Sequence, residues 1–264
     1  MLDFQYKPSY GVKDLEEIVR ILRAPGGCPW DAEQTHESIR RNFLEEAYEV
    51  VEAIDEKDAD HLEEELGDVL LQVMFHTRIE QEKGAFDLDA VADRICKKLI
   101  YRHPHVFGDV KVSGTGQVLT NWEALKRTEK GQATHTDALA AVSRSLPALW
   151  RAEKVQAKAR KAGFDWPDVS GALDKLSEEL DELREAVAQG GNISEELGDL
   201  LFAAVNVSRF VKTDPEEALI SASDKFIARF KKVEEGAAAQ GKRLEDMTLA
   251  EMDVLWERAK SQET

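Results

Sequence analysis

One carboxylate-rich helical pattern occurs twice along this chain, in the same order, and that repetition restricts the fold more than any other feature. Gly27-Cys28-Pro29-Trp30 answers Gly163-Phe164-Asp165-Trp166. Glu45-Glu46-Ala47-Tyr48-Glu49 answers Glu178-Glu179-Leu180-Asp181-Glu182, and Glu64-Glu65-Leu66-Gly67-Asp68 answers Glu195-Glu196-Leu197-Gly198-Asp199. Lys98 and Arg102 match Lys225 and Arg229 in spacing, as Trp122, Glu123 and Lys126 match Trp256, Glu257 and Lys260. An ancestral duplication accounts for this order. The polar stretch Thr128–Thr136 has no apolar period and divides the chain into an N-terminal domain, 1–130, and a C-terminal domain, 138–264.

Within each half the apolar residues recur at helical spacing. Ile39, Phe43, Ala47, Val50 and Ile54 share a face, as do Leu62, Leu66, Val69, Val73 and Thr77. Val91, Ile95 and Leu99 point inward on a helix over Leu88–Arg102. Leu173, Leu176, Leu180, Leu183 and Val187 precede Gly190-Gly191, and Ile193, Leu197, Leu200, Leu201 and Val205 follow it. Asp214-Pro215-Glu216-Glu217 predicts a helix start, with a cap, Pro at the first position and acid in the first turn. Thr120 with Glu123, and Thr248 with Glu251, read as capping boxes. No alternating β-branched run is present, so the expected class is all-α, in two tandem helical-bundle units.

The composition excludes several function classes. No stretch reaches the roughly 20 apolar residues needed to cross a bilayer, and Met1-Leu2-Asp3-Phe4-Gln5 lacks the basic and apolar regions of a leader. Cys28 and Cys96 make no disulfide framework, which points to a reduced, cytoplasmic protein. A net charge of −17 argues against a nucleic acid polymer as partner. It leaves nucleotides open, because divalent cations can stand between carboxylates and polyphosphate.

Glu179 and Glu182 are three apart and share a helical face; Glu196 and Asp199 do the same on the following helix. Packed as antiparallel neighbours, those helices bring four carboxylates together beside the core. Their mutual repulsion is costly, and a hard divalent cation relieves it, magnesium being the best suited. Lys225 and Arg229 are spaced to grip phosphate oxygens, while Trp256 offers a base a stacking surface and Lys260 a further phosphate contact.

Each piece alone has a plainer reading. Glu-Glu-x-x-Glu in so acidic a chain is most often a solvated face, Lys-x-x-x-Arg a surface pair, and a Trp at helical spacing part of a core. Gly67 and Gly198 are harder to set aside, since a mid-helix Gly costs roughly 1 kcal/mol against Ala; close helix packing or a nearby ligand would explain them. Only Glu33-Gln34-Thr35-His36 fits the Glu-x-x-His motif of a di-iron bundle, outside the carboxylate helices, so di-iron is rejected. His103-Pro104-His105 reads as a capped loop. No Gly-rich phosphate loop, Gly-x-Ser-x-Gly elbow or Cys/His nucleophile pair is present.

Gly26-Gly27-Cys28-Pro29-Trp30-Asp31, Gln34-Thr35-His36, the paired carboxylate motifs and Lys98-Leu99-Ile100-Tyr101-Arg102-His103-Pro104-His105-Val106-Phe107 together resemble the full-length bacterial MazG family. The resemblance spans essentially the whole chain. It implies a homodimeric, all-α nucleoside triphosphate pyrophosphohydrolase that uses Mg2+, tolerates many bases, yields the monophosphate and diphosphate, and clears surplus or noncanonical nucleotides. It also implies that the C-terminal unit is catalytic. Glu179, Glu182, Glu196 and Asp199 would then bind magnesium, and Glu178, Glu179 and Glu182 are the expected catalytic group; mechanistically, a carboxylate not fully committed to metal, Glu178, is expected to take the proton of the attacking water. Lys175, Glu178, Glu195, Lys225, Arg229, Trp256 and Lys260 would surround the nucleotide.

The residues alone do not choose between halves, because Glu46, Glu49, Glu65, Asp68, Lys98, Arg102, Trp122 and Lys126 form an equivalent set. One difference is visible: Lys175 faces Asn42, with Arg40 and Arg41 nearby. The alternative reading is a catalytically silent nucleotide-binding or regulatory module.

Overall fold

The computed structural model describes residues 4–129 and 131–262. Met1, Leu2 and Asp3, read above for the absence of a leader, lie outside them, as do Lys130, Glu263 and Thr264. Every regular element among the described residues is helical, so the all-α class holds. No helix among them is long and apolar enough to cross a membrane.

The chain divides into two compact units, Met1–Lys126 and Arg127–Thr264. Unit 1 contains α1 (Val12–Arg23), α2 (Pro29–Glu33), α3 (Arg40–Glu56), α4 (Ala59–Glu82), α5 (Leu88–Arg102), α6 (Pro104–Phe107) and most of α7 (Thr115–Glu129). Its centre is the hairpin of α3 and α4, with α1 laid against α4. Lys57 ends α3 in the left-handed region, φ 58°, and Asp58 caps α4 by accepting from the backbone N–H groups of Asp60 and His61. Val19, Ile39, Met74, Phe75 and Ile79 form its buried core.

Unit 2 contains α8 (His135–Ala140), α9 (Ala148–Lys161), α10 (Val169–Gln189), α11 (Ile193–Val211), α12 (Pro215–Ala239) and α13 (Leu249–Ser261). Here α10 and α11 form the hairpin, turned at Gly190 with φ 75°. A side chain at that φ would be strained, which is why a Gly closes the helix. Asp214 caps α12 through the N–H groups of Glu216 and Glu217, and its carboxylate also accepts from the Trp150 indole at 3.2 Å, tying α9 to α12. Val233, Ala237, Met247 and Leu255 form a core between α12 and α13.

Several expectations are corrected. Thr120 does not cap a helix: it lies inside α7, which starts at Thr115, and its hydroxyl donates to the Gly116 carbonyl. Thr134 is the cap that does form, with Asp137, so the polar stretch after α7 runs directly into α8. His103-Pro104-His105 leads into the short helix α6 rather than a loop. A Cβ added to Gly67 or Gly198 would meet nothing within 4 Å, so packing inside the chain does not demand glycine there. The apolar stripes are also less covered than their period suggests. Ile54, Ile95 and Leu99 in unit 1, and Leu173, Val187, Leu197 and Leu201 in unit 2, are all exposed. Periodicity reports which residues share a face, and it does not say what lies across from that face.

Candidate active site

The hairpin of α10 and α11 carries the carboxylates because Gly190 and Gly191 turn the chain back on itself. Glu179 on α10 then faces Glu196 and Asp199 on α11, and one oxygen from each lies within 4.8 Å of the other two. Glu179 is buried, whereas Glu196 is half-buried and Asp199 exposed. Lys175, one turn before Glu179, places its ammonium 2.6 Å from Glu179 and 2.9 Å from Glu178. Hydrogen bonds to these two carboxylates push the lysine pKa up, that to Glu179 contributing most.

Glu182 stands one turn further along α10, outside that three-oxygen group. Desolvation, and then the charge of Glu179, raise its pKa, with Glu196 adding to the effect. Such a carboxylate has an unmet need for positive charge. Glu195 is otherwise occupied: it accepts from the Asn192 side chain at 2.6 Å in the first turn of α11.

Of the cations named from sequence, Arg229 lies beside Trp256. The Arg229 guanidinium lies 5.8 Å from the centre of its ring, and the Phe226 ring packs on it at 5.0 Å. Trp256 also packs against the α12–α13 core, so part of its surface is structural. Lys225 is exposed, and Lys260 pairs with Glu257 at 2.9 Å.

Unit 1 repeats the arrangement with its own detail. Oxygens of Glu46, Glu49 and Glu65 lie within 4.8 Å of one another. Burial first, then neighbouring carboxylates, raise the pKa of Glu46 and of Glu65. His61, one turn before Glu65 on α4, lies 3.3 Å from that carboxylate. Arg102 and Lys126 both lie over the Trp122 ring, at 5.3 and 4.7 Å.

Sequence reasoning missed the wall beside the unit 2 carboxylates. A cavity of about 630 Å3 opens there, lined by Lys175, Glu179 and Asp199 together with Trp166, Phe202 and Asn206. Arg209 forks onto Asp165, Nη1 donating to Oδ2 at 2.9 Å and Nη2 to Oδ1, and it also donates to Asn206 Oδ1 at 2.7 Å. Asp165 is held below the usual carboxylate range chiefly by that hydrogen bond. The signal was present: Asn206 and Arg209 are three apart in the largely apolar second half of α11.

A sequence profile of the MazG nucleotide pyrophosphohydrolase domain matches residues 34–107 and 168–234, once in each unit. The chain is 46% identical, over 94% of its length and 95% of the relative's, to a nucleoside triphosphate pyrophosphohydrolase/pyrophosphatase MazG of Thermotoga maritima. It is 44% identical to a nucleoside triphosphate pyrophosphohydrolase of Escherichia coli over 93% of this chain and 95% of that protein. A protein of the same name from Mycolicibacterium smegmatis is 37% identical over 80% of this chain and 65% of its own. With the carboxylate hairpin present in both units and relatives matching nearly end to end, the chain belongs to the MazG nucleotide pyrophosphohydrolase family.

Proposed function

We propose that this chain hydrolyses nucleoside triphosphates to the monophosphate and diphosphate, and that unit 2 does the work. The observation that carries this reading is the convergence of Glu179, Glu196 and Asp199 beside an open cavity. An all-carboxylate set suits a hard cation, and magnesium, which keeps several waters and shares phosphate oxygens, fits it best. When bound, the ion supplies charge neutralisation and a water of lowered pKa.

Glu179, Glu196 and Asp199 would hold it, with Glu182 completing the set. Glu178, exposed and linked to the cluster through Lys175, accepts the proton of the attacking water. With a cation held among the carboxylates, Lys175 would be free to contact the triphosphate instead of Glu179. Lys225, Arg229 and Lys260 offset charge on the phosphoryl oxygens, with Trp256 and Glu195 at the edge of the nucleotide.

A difference between the repeats favours unit 2. Counting from the matched Trp30 and Trp166, Arg23 stands where unit 2 has Ala159; counting from Glu65 and Glu196, Phe75 stands where it has Asn206. Arg23 is 5% exposed and donates to the carbonyls of Asp31 and Gln34, while Phe75 belongs to the buried core. At these two positions unit 1 therefore carries larger, buried side chains than unit 2. The uncovered apolar stripes of α3, α5, α10 and α11 support a homodimer in which a second copy covers them. The setting is the cytoplasm, and the role is broad-specificity clearing of nucleotides.

The test is diphosphate release from a panel of NTPs and dNTPs, with and without magnesium, in wild type, Glu182→Ala and Glu49→Ala. Release lost only in Glu182→Ala supports both the reaction and the unit. Loss only in Glu49→Ala moves the site to unit 1. No release from wild type favours the silent binding module.

A further inference from the structure

The segment Gln34-Thr35-His36 has no counterpart in unit 2, and the hydrolytic reading gives it no task. His36 lies in the turn between α2 and α3, and its ring stacks on that of His76 on α4, with centroids 5.0 Å apart and planes 11° apart. The two Nδ1 atoms face each other at 2.7 Å. On its other side, His36 Nε2 meets Glu80 Oε1 at 2.7 Å, and the same oxygen accepts from the Lys83 ammonium at 2.7 Å. His76 and Glu80 are four apart, so α4 presents both on one face. Counting from Trp30 and Trp166, and from Glu65 and Glu196, unit 2 has Ala172, Val207 and Val211 at these three positions. The trio is therefore not one copy of a duplicated feature, and it shares no residue with the group of Glu46, Glu49 and Glu65.

The hydrogen bonds fix where the protons sit. Lys83 and then His36 hold Glu80 below the usual carboxylate range, so it accepts and the proton of His36 is on Nε2. That leaves His36 Nδ1 as a lone pair aimed at His76. A carboxylate that fixes the tautomer of an imidazole in this way is the common partner of a metal-ligating histidine. In the metal-free chain His76 meets the lone pair by donating from its own Nδ1. Moving that proton to Nε2 of His76 turns the second nitrogen into a lone pair too, with no change in net charge. Two nitrogens about 2.0–2.1 Å from one zinc ion stand roughly 3.3 Å apart at the tetrahedral angle, so the rings need to part by roughly 0.6 Å from 2.7 Å. His36 belongs to no helix and can move that far, and its side chain is 33% exposed, which leaves room for water.

We propose that His36 and His76 form a binding site for a transition-metal dication of the zinc class, with Glu80 as the positioning carboxylate behind His36 and water in the remaining places. Imidazole nitrogen suits zinc, nickel and copper, whereas magnesium takes oxygen, so the site differs in chemistry from the all-carboxylate groups of both units. An ion held there ties the turn before α3 to α4. It thereby braces the hairpin that carries Glu46, Glu49 and Glu65. The proposal does not rest on the hydrolase reading of unit 2.

The experiment measures binding and needs no turnover. Zinc is titrated into the full chain against a chromophoric chelator, with excess magnesium present to fill the carboxylate groups. The proteins are wild type, His76→Gln, Glu80→Ala, Glu80→Gln, Glu49→Gln and Glu179→Gln. Zinc Kd should rise about a hundredfold in His76→Gln, and about tenfold in Glu80→Ala, which loses the positioning group but no ligand. Glu80→Gln should recover part of that loss, because its carbonyl still accepts from His36 Nε2, while Glu49→Gln and Glu179→Gln should match wild type. Unchanged zinc affinity in His76→Gln overturns the site. An equal loss in Glu49→Gln or Glu179→Gln does so as well, by placing the ion among the carboxylates. Nitrogen NMR of the wild-type chain gives a reading that no variant's folding can disturb. Zinc should shift the Nδ1 resonances of His36 and His76 among the six histidines, and resonances that stay in place overturn the proposal.

Discussion

The ammonium of Lys175 lies 2.6 Å from Oε1 of Glu179, the buried carboxylate of the unit 2 cluster. A cation entering among Glu179, Glu196 and Asp199 therefore competes with a positive charge the protein already supplies. Removing that competitor in Lys175→Met should tighten divalent binding to the nucleotide-free protein by about threefold, a modest effect because the lysine is solvent-accessible. The same substitution should weaken nucleoside triphosphate binding, since the lysine then cannot turn to phosphate. Titration with manganese, with and without nucleotide, checks both. Weaker manganese binding in the nucleotide-free variant would show that Lys175 assists the cation instead.

Glu182 leads to a prediction about pH. Its pKa is raised above the usual 4.5 by desolvation first and by Glu179 next. A raised carboxylate pKa means the folded state holds the proton more tightly than the unfolded one. Its contribution is fully present below pH 4.5 and is lost as pH rises through the elevated folded value. At neutral pH the ionised group is thus a liability in the metal-free protein. Glu182→Gln should raise the metal-free Tm at pH 7 and leave it unchanged near pH 4. It should also shrink the further Tm gain on adding magnesium. A fall in metal-free Tm would contradict the repulsion described here.

His36 and His76 of unit 1 stack at 5.0 Å with their Nδ1 atoms 2.7 Å apart, and His36 Nε2 meets Glu80 at 2.7 Å. Burial, and then the neighbouring His36, lower the His76 pKa from 6.5. A depressed histidine pKa contributes stability above pH 6.5 that is lost as pH falls through the folded value. The groups facing this pair are Glu80, itself bonded to Lys83, and the Phe43 ring at 5.9 Å from His76. His76→Phe should flatten the decline in thermal stability below pH 6.5, measured by circular dichroism. An unchanged decline would place the acid sensitivity elsewhere in the chain.

Much of the site was legible from residue spacing. Carboxylates at i and i+3 share a helical face wherever the helix ends up, so Glu179 with Glu182 and Glu196 with Asp199 could be named before any packing was known. The caps at Asp214 and Thr248 were legible too, because a cap acts within one turn of its own residue. Thr120 misled because the same residue pattern also occurs inside a helix, where the hydroxyl bonds back to Gly116. Trp256 was read as a platform for a base, yet its neighbours Arg229 and Phe226 come from α12, which only the fold brings to it.

The sequence by itself determined the helical class, the duplication and the carboxylate pairs, since all three depend on short-range periodicity or direct repetition along the chain. Tertiary structure decided that Arg209 reaches Asp165 across 44 residues and so orients Asn206. It also decided that Arg23 and Phe75 are packed away in unit 1 at the positions where unit 2 has the cavity-lining Ala159 and Asn206. An open or filled cavity depends on volumes supplied by several helices at once, and no local pattern encodes that sum.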